Sequence, residues 1–386
     1  MSYQHIDQPV KSSKVFFCLL SLIILLGASL RYAYYHSLAS DPLPTLSSAS
    51  NIFDQYRFMQ LAKEILAHNW LGKELTRYSP TYAYFIALIF KLGDLDIYQV
   101  FLTQLIIGTG MPFIFYKTAA LLFKNNQIGL IAALIAALYS PFIFYEGTLL
   151  RASLIAYLNI LSCYFILAAF KKTSSLYFLF SGLSLGLSLI LRPNILPIFL
   201  IPYIFFISKG SRDKMIHTSF MLIGILLVIL PLSLRNSLLG RPVLVSSQGP
   251  STFWIGNTPD ASGIGLWRSP LRNQLAQEAQ GSALKTLTIF TRKIFYHPSR
   301  YFEIYTRKFI MYFNAYEIPG NLSYDQFREN HPPLRWAVFR FEHIIPFALL
   351  GLILCWRRFP FISLIYIYFS VLCLSIILFH IQGRYR

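Results

Sequence analysis

Apolar side chains run in long uninterrupted blocks along this chain, at residues 15–30, 97–116, 127–144, 152–170, 175–191, 193–208, 215–233, 337–355 and 359–380. At 1.5 Å of rise per helical residue, most of these blocks reach across the roughly 30 Å of a bilayer's hydrocarbon core. The pattern predicts an all-α polytopic membrane protein with about nine transmembrane helices. Lys11 and Lys14 before the first block, and Ala39 and Ser40 after it, imitate a cleaved secretory signal. The apolar run exceeds the about 7 to 15 residues of a signal core and further blocks follow, which favours an uncleaved anchor.

Two segments break the pattern. Residues 80–92 are apolar, but about 13 residues make a helix of only about 20 Å, too short to cross. Ser79 is suited to cap it, Pro80 to its first turn and Gly93 to its end. Residues 52–66 set Ile52, Tyr56, Met59 and Ile65 or Leu66 near helical spacing, with Arg57, Lys63 and Glu64 between them. Both segments are expected to lie on the membrane surface as interfacial helices of one outer loop, residues 36–96.

With 80–92 left out, an amino terminus on the cytoplasmic side of a plasma (inner) membrane puts Lys117 with Lys124, Lys171 with Lys172, Lys209 with Arg212 and Lys214, and Arg357 with Arg358 inside, as short basic loops prefer. Three parts result: a transmembrane module over 1–233, a large extracytoplasmic loop over 234–336, and C-terminal transmembrane helices over 337–386.

Composition agrees: 55% of the 386 residues are hydrophobic and 13% charged, far from the usage of soluble domains. The formal net charge of +18 is spread through the loops, which points to membrane lipid and phosphate as partners and not to nucleic acid. Cys18, Cys163, Cys355 and Cys373 all fall in apolar blocks and read as packing residues, with neither a disulfide nor a zinc site expected.

Several short motifs then appear in order. Asp54-Gln55-Tyr56 opens the first outer loop; Pro80, Tyr82, Tyr84 and Gly93 follow; Gly182 and Gly186 precede Arg192-Pro193-Asn194. Arg235-Asn236 leads to Phe253-Trp254-Ile255-Gly256-Asn257-Thr258-Pro259, then His297-Pro298 with Lys308. In this order and placement the chain resembles the GT-C superfamily of membrane glycosyltransferases, in the bacterial branch related to protein O-mannosyltransferases and lipid A aminoarabinose transferases. The resemblance spans nearly the whole chain. Members continue through an Arg-Tyr-Arg element into a further span, whereas this chain stops at Arg384-Tyr385-Arg386, as a truncated or split product would.

The resemblance implies a glycosyltransferase that moves a sugar from a polyprenyl-phosphate donor to a glycan, lipid or protein acceptor at the extracytoplasmic face. A departing phosphate needs no protonation by a second acid, so one carboxylate base and one or more cations suffice. Asp54 is the expected base; alternatively, if Asn51 caps this helix, Asp54 only serves backbone donors and the helix dipole. Glu146 resembles the second acidic position, either orienting the acceptor or sharing a divalent cation with Asp54, against the commoner reading of an exposed loop carboxylate. No cofactor beyond that cation is expected.

Arg192, Arg384 and Arg386 are placed to grip the phosphate by paired hydrogen bonds, or else to anchor spans at lipid head groups. Tyr56 and Arg77, the latter beside Tyr78, complete the substrate-binding candidates. His68, His297 and His331 show no ligand spacing, and Gly263-Ile264-Gly265 lacks the setting of a nucleotide fingerprint. Asn321-Leu322-Ser323 forms a glycosylation triplet of a kind that often arises by chance. The alternative function is a polytopic transporter or lipid flippase, disfavoured by spans almost free of charge and by the lack of an internal repeat.

Overall fold

A computed structural model describes residues 14–41, 44, 53–68, 70–71, 79–193, 196–240, 243–265, 269–355 and 362–385. Helices account for nearly all regular structure there, from α1 (Lys14–Ala39), α2 (Asp54–Ala67), α3 (Thr81–Leu92), α4 (Ile97–Thr109) and α5 (Met111–Phe123) to α6 (Asn126–Ala137) and α7 (Ser140–Glu146). Next come α8 (Ala152–Lys172), α9 (Ser175–Leu191), α10 (Leu196–Ile207) and α11 (Ser211–Leu238). The segment after them folds into α12 (Gly249–Phe253), α13 (Pro270–Glu278), α14 (Ala283–Tyr296), α15 (Pro298–Tyr312), α16 (Tyr324–Asn330) and α17 (Pro332–Trp336), before α18 (Phe341–Cys355) and α19 (Ser363–Leu378).

The expectation of about nine membrane-crossing helices is overturned. Among the described residues four helices are long and apolar enough to cross: Lys14–Ala39, the continuous stretch Ile97–Phe123, Ala152–Lys172 and Ser211–Leu238. The other apolar blocks yield helices of 12 to 17 residues, α6, α9, α10, α18 and α19.

The reason is that apolar composition continues where the helix does not. Block 127–144 breaks at Leu138 and Tyr139, whose backbone pairs with Phe339: Phe339 N donates to Leu138 O at 3.0 Å and Ser140 N to Phe339 O at 2.9 Å. That same pairing removes the start of block 337–355 from its helix. At the other end of the chain, Phe379–Gln382 leaves α19 and runs alongside Gly263, to whose oxygen Ile381 N donates at 2.9 Å. Periodicity does not reveal such backbone partners.

The two short helices α2 and α3 form where expected but pack differently. Along α3 the buried residues Tyr82, Ala83, Ile86, Ala87 and Phe90 follow the three-and-four spacing of one helix face. The α2 stripe is Phe58, Leu61, Ala62 and Ile65, while Tyr56 and Met59 are half-buried; Ile52 and Asn51 lie outside the described residues. The stripe is thus rotated from the one read in sequence. Together with α1, α4, α7 and residues of α16 and α17, these helices share one core. A second core joins α8, α9, α10, α11 and α19, and the segment from α12 to α15 has its own around Trp254, Leu275, Phe290 and Tyr301.

In the second core α9 and α11 meet backbone to backbone: a Cβ on Gly182 would collide with Met221 O, and one on Gly224 with Leu179 O. A polar tie fixes the end of α1 to the turn before α17. His331, 2% exposed, bonds Asp41 Oδ2 through Nε2 at 2.8 Å and Ser37 Oγ through Nδ1 at 2.7 Å.

Candidate functional site

The start of α8 and the end of α9 lie side by side, because Arg151 Nη1 donates to Leu191 O at 2.7 Å. A cation at the last carbonyls of α9 also complements that helix's dipole. Arg192 is the next residue, with its guanidinium carbon 3.5 Å from the centre of the Tyr385 ring. Tyr385 belongs to the tail after α19, as does Arg384. Arg384 Nη1 donates to Asp54 Oδ2 at 3.2 Å and its Nη2 to Tyr385 Oη at 3.1 Å. Asp54 opens α2, and Arg151 lies 5.5 Å from the ring of Phe58 one turn along the same helix.

The Asp54 carboxylate is therefore bonded to the guanidinium of Arg384 and lies in the field of Arg151, while Arg192 stands behind them against the Tyr385 ring. The Asp54 side chain remains 27% exposed, so the cluster opens to solvent on one side. Burial would raise the Asp54 carboxyl, but Arg384, then Arg151, with the amide of Asn321, outweigh it and hold it below its ordinary 3.8. Burial, then the neighbouring Arg192, bring Arg151 down to about 10. Burial opposes ionisation of Tyr385, yet Arg384 and Arg192 draw its phenol below the ordinary 10.

Glu146 is elsewhere. It is 1% exposed and accepts two hydrogen bonds from the equally buried Arg31 of α1, from Nε at 2.7 Å and Nη2 at 2.9 Å. Burial raises its carboxyl, with Arg31 opposing. Its backbone oxygen accepts from Gln104 Nε2 at 2.8 Å, and Gln104 Oε1 accepts from Tyr82 Oη at 2.8 Å. Among the described residues no bond joins Glu146 to Asp54.

Of the residues nominated from sequence, the structure gathers Asp54, Arg192 and Arg384 and leaves Tyr56 half-buried on α2. Arg77 and Arg386 lie outside the described residues. Arg151 was missed: it is a single arginine between two apolar runs, and the acid nearest to it in sequence, Glu146, is bonded to Arg31 instead. Among the described residues no three His, Cys, Asp or Glu side chains gather as a metal-holding group.

The tail is held by a buried lysine. Lys308 of α15 is 0% exposed, and its Nζ donates to Asn257 Oδ1 at 2.9 Å and Phe379 O at 2.8 Å. Asn257 in turn donates from Nδ2 to Leu378 O at 2.8 Å and receives Tyr305 Oη at 2.7 Å. Gly383 N donates to Ile318 O at 2.8 Å just before Arg384. Lys308 and Asn257 are thus positioning residues for Arg384 and Tyr385.

Burial lowers Lys308 from the ordinary 10.5 to about 7. A neutral amine has two N–H donors, and two acceptors are present. Between about pH 7 and 10.5 the unfolded lysine binds a proton that the folded one does not, so stability rises with pH across that window, by about 1.4 kcal/mol per unit. Thermal unfolding of the purified chain between pH 7 and 10 is expected to show this gain relative to Lys308→Met, in which it disappears. Equal slopes for the two proteins would contradict it.

No curated protein and no solved structure matches this chain. A family match does exist, and it covers Arg151, Arg192 and Glu146 but not Asp54 or Arg384. Residues 77–235 match the model of the dolichyl-phosphate-mannose-protein mannosyltransferase family, so that over this stretch, to within a few residues of the end of α11, the chain is homologous to membrane enzymes of sugar transfer.

Proposed function

We propose that this protein transfers a sugar from a polyprenyl-phosphate donor to an acceptor hydroxyl at the extracytoplasmic face of a plasma (inner) membrane. The observation that carries the reading is the half-buried Asp54 carboxylate bonded to Arg384 and facing Arg151, with Arg192 next to them across the Tyr385 ring, at one end of the helices. Its chemistry is a base next to a phosphate-sized concentration of positive charge.

In the proposed step the acceptor's O–H bond breaks and its proton passes to Asp54. The acceptor oxygen bonds to the sugar's anomeric carbon as the bond from that carbon to the phosphate oxygen breaks, and the electron pair leaves with the phosphate. Arg192 and Arg384 meet the charge that develops there. Before the donor arrives, Arg384 is bonded to Asp54 and weakens it as a base. A donor phosphate competes for Arg384, and losing that partner raises the carboxyl's proton affinity. Donor binding therefore primes the base before the acceptor is attacked.

Glu146 has a different place in this reading. Paired with Arg31 it fixes α1 against α4 and α7 and supports the site from behind. A divalent cation enters only as an addition to the guanidinium groups. The acceptor is a glycan, a lipid or a protein hydroxyl.

Membranes containing the protein, given radiolabelled dolichyl-phosphate mannose, are expected to transfer label to an endogenous acceptor. Arg192→Ala should raise the donor KM about tenfold or more through loss of a charge-assisted contact. A wild-type chain that neither transfers nor releases label would defeat the proposal. The same assay after EDTA, with and without added Mg²⁺, measures what a divalent ion contributes.

The placement outside rests on which ends of helices share the site. Lys172 ends α8 at the opposite end from Arg151, and Lys209 and Lys214 flank the start of α11 at that same end, where cytoplasmic basic segments belong. Reporters fused near Asp260 and near Lys172 are expected on opposite sides, the first outside. Matching signals from both would overturn the orientation.

A further inference from the structure

Four polar atoms around the tail are buried without a hydrogen bond of full geometry: His380 Nδ1, Gln382 Oε1, Arg384 Nε and Asn321 Nδ2, the last drawn only loosely toward the Asp54 carboxylate. Each such atom costs about 1–3 kcal/mol if nothing meets it. They belong to one contiguous group. A Cβ on Gly265 would run into both Gln382 and His380, and one on Gly320, next to Asn321, would stand 3.2 Å from Gln382 Oε1. The Asn321 amide faces Asp54, to which Arg384 is bonded, and the His380 ring packs at 5.6 Å against Tyr385. His380 and Gln382 are only 2% and 5% exposed.

The orphaned atoms are of mixed kind. Asn321 Nδ2 and Arg384 Nε only donate, and Gln382 Oε1 only accepts. Burial keeps His380 neutral, reinforced by Arg192, Arg384, Lys308 and Arg272 facing it, so its ring offers one donor and one acceptor. A phosphate ester only accepts and would leave Gln382 unmet. A ring carrying several hydroxyls, each able to donate and accept, meets all four.

We propose that His380, Gln382, Asn321 and the Nε of Arg384 form a subsite beside Asp54 that reads the hydroxyl groups of the donor's sugar. This rests on the reading of the donor as a polyprenyl-phosphate sugar. It divides recognition in two: the guanidinium groups hold the phosphate whatever it carries, and the tail with Asn321 selects the sugar.

The test compares binding of dolichyl-phosphate mannose and of sugarless dolichyl phosphate to the full chain in detergent. The wild type is expected to prefer the mannose-bearing lipid. Gln382→Met and Asn321→Leu should each cut that preference about tenfold and leave dolichyl phosphate binding unchanged. Gly265→Ala keeps every polar group and crowds Gln382, so the same loss is expected from it. Arg192→Ala should weaken both lipids alike. An unchanged preference in Gln382→Met and Asn321→Leu would mean that water satisfies these atoms, and the subsite falls. Equal wild-type affinity for both lipids would also overturn the subsite while leaving a phosphate site in place. Binding of neither lipid would overturn the donor reading and the subsite with it.

Discussion

Replacing Asp54 with asparagine is expected to lower kcat for sugar transfer by about 10²–10⁴-fold, the usual worth of a positioned general base. Donor affinity should hold or improve, because the neutral amide no longer competes with the phosphate for Arg384, which Asp54 holds at 3.2 Å. That split distinguishes a base from a residue that merely supports α2. If Asp54 only satisfied backbone donors, the variant would lose stability while the surviving protein turned over normally.

A pH signature accompanies it. In the free protein, where burial is outweighed by Arg384 and Arg151, Asp54 stays ionised down to below its ordinary 3.8. Once a donor phosphate engages Arg384, that hold weakens and the carboxyl titrates at higher pH. The acid limb of kcat is therefore expected at higher pH than that of kcat/KM, since the two report the bound and free states. Coincident limbs would refute the priming of Asp54 by the donor.

The second large effect is on stability. Glu146→Gln leaves the Arg31 guanidinium buried at 1% exposure without its anion, at a cost of about 3–5 kcal/mol. Little folded protein should be recovered. Joining Arg31→Met to Glu146→Leu replaces the pair with apolar side chains of similar volume and is expected to restore most of the loss. Transfer activity in that double variant would confirm a supporting role for Glu146. Full stability with no transfer would instead return Glu146 to the chemistry.

Why the burial of Glu146 and its pairing with Arg31 could not be read from the sequence can be stated physically. Its local sequence, Tyr145-Glu146-Gly147, looks like a turn, and its partner Arg31 lies 115 residues away while Arg151, far nearer in sequence, points elsewhere. The available signal was Arg31, a lone charge just past the first apolar block and on the same helix, which had to meet an anion somewhere. Pairing it with one of 16 acids needs the fold.

The overcounted spans have a similar cause. Leu138, Tyr139 and Phe339 are apolar and fit a crossing helix by composition, yet their backbones bond each other and shorten two blocks at once. The all-α, membrane-embedded character was legible because it depends on composition summed over long stretches. Helix ends were not, because they depend on single backbone partners far away. Asp54, Arg192 and Arg384 were nominated through the ordering of motifs, while Arg151 and Gln382 had no local feature to mark them and Asn321 only a glycosylation triplet unrelated to this site.

The contact between Asp54 and Arg384 closes a loop of 330 residues. During synthesis, Asp54 is made early and then waits while the 330 residues up to its partner are made. A ribosome stalled anywhere before the tail leaves a carboxylate with one arginine too few and no sugar-selecting tail beside it. The site around Asp54 is therefore assembled only after the segments that carry Arg151 and Arg384 have both been made.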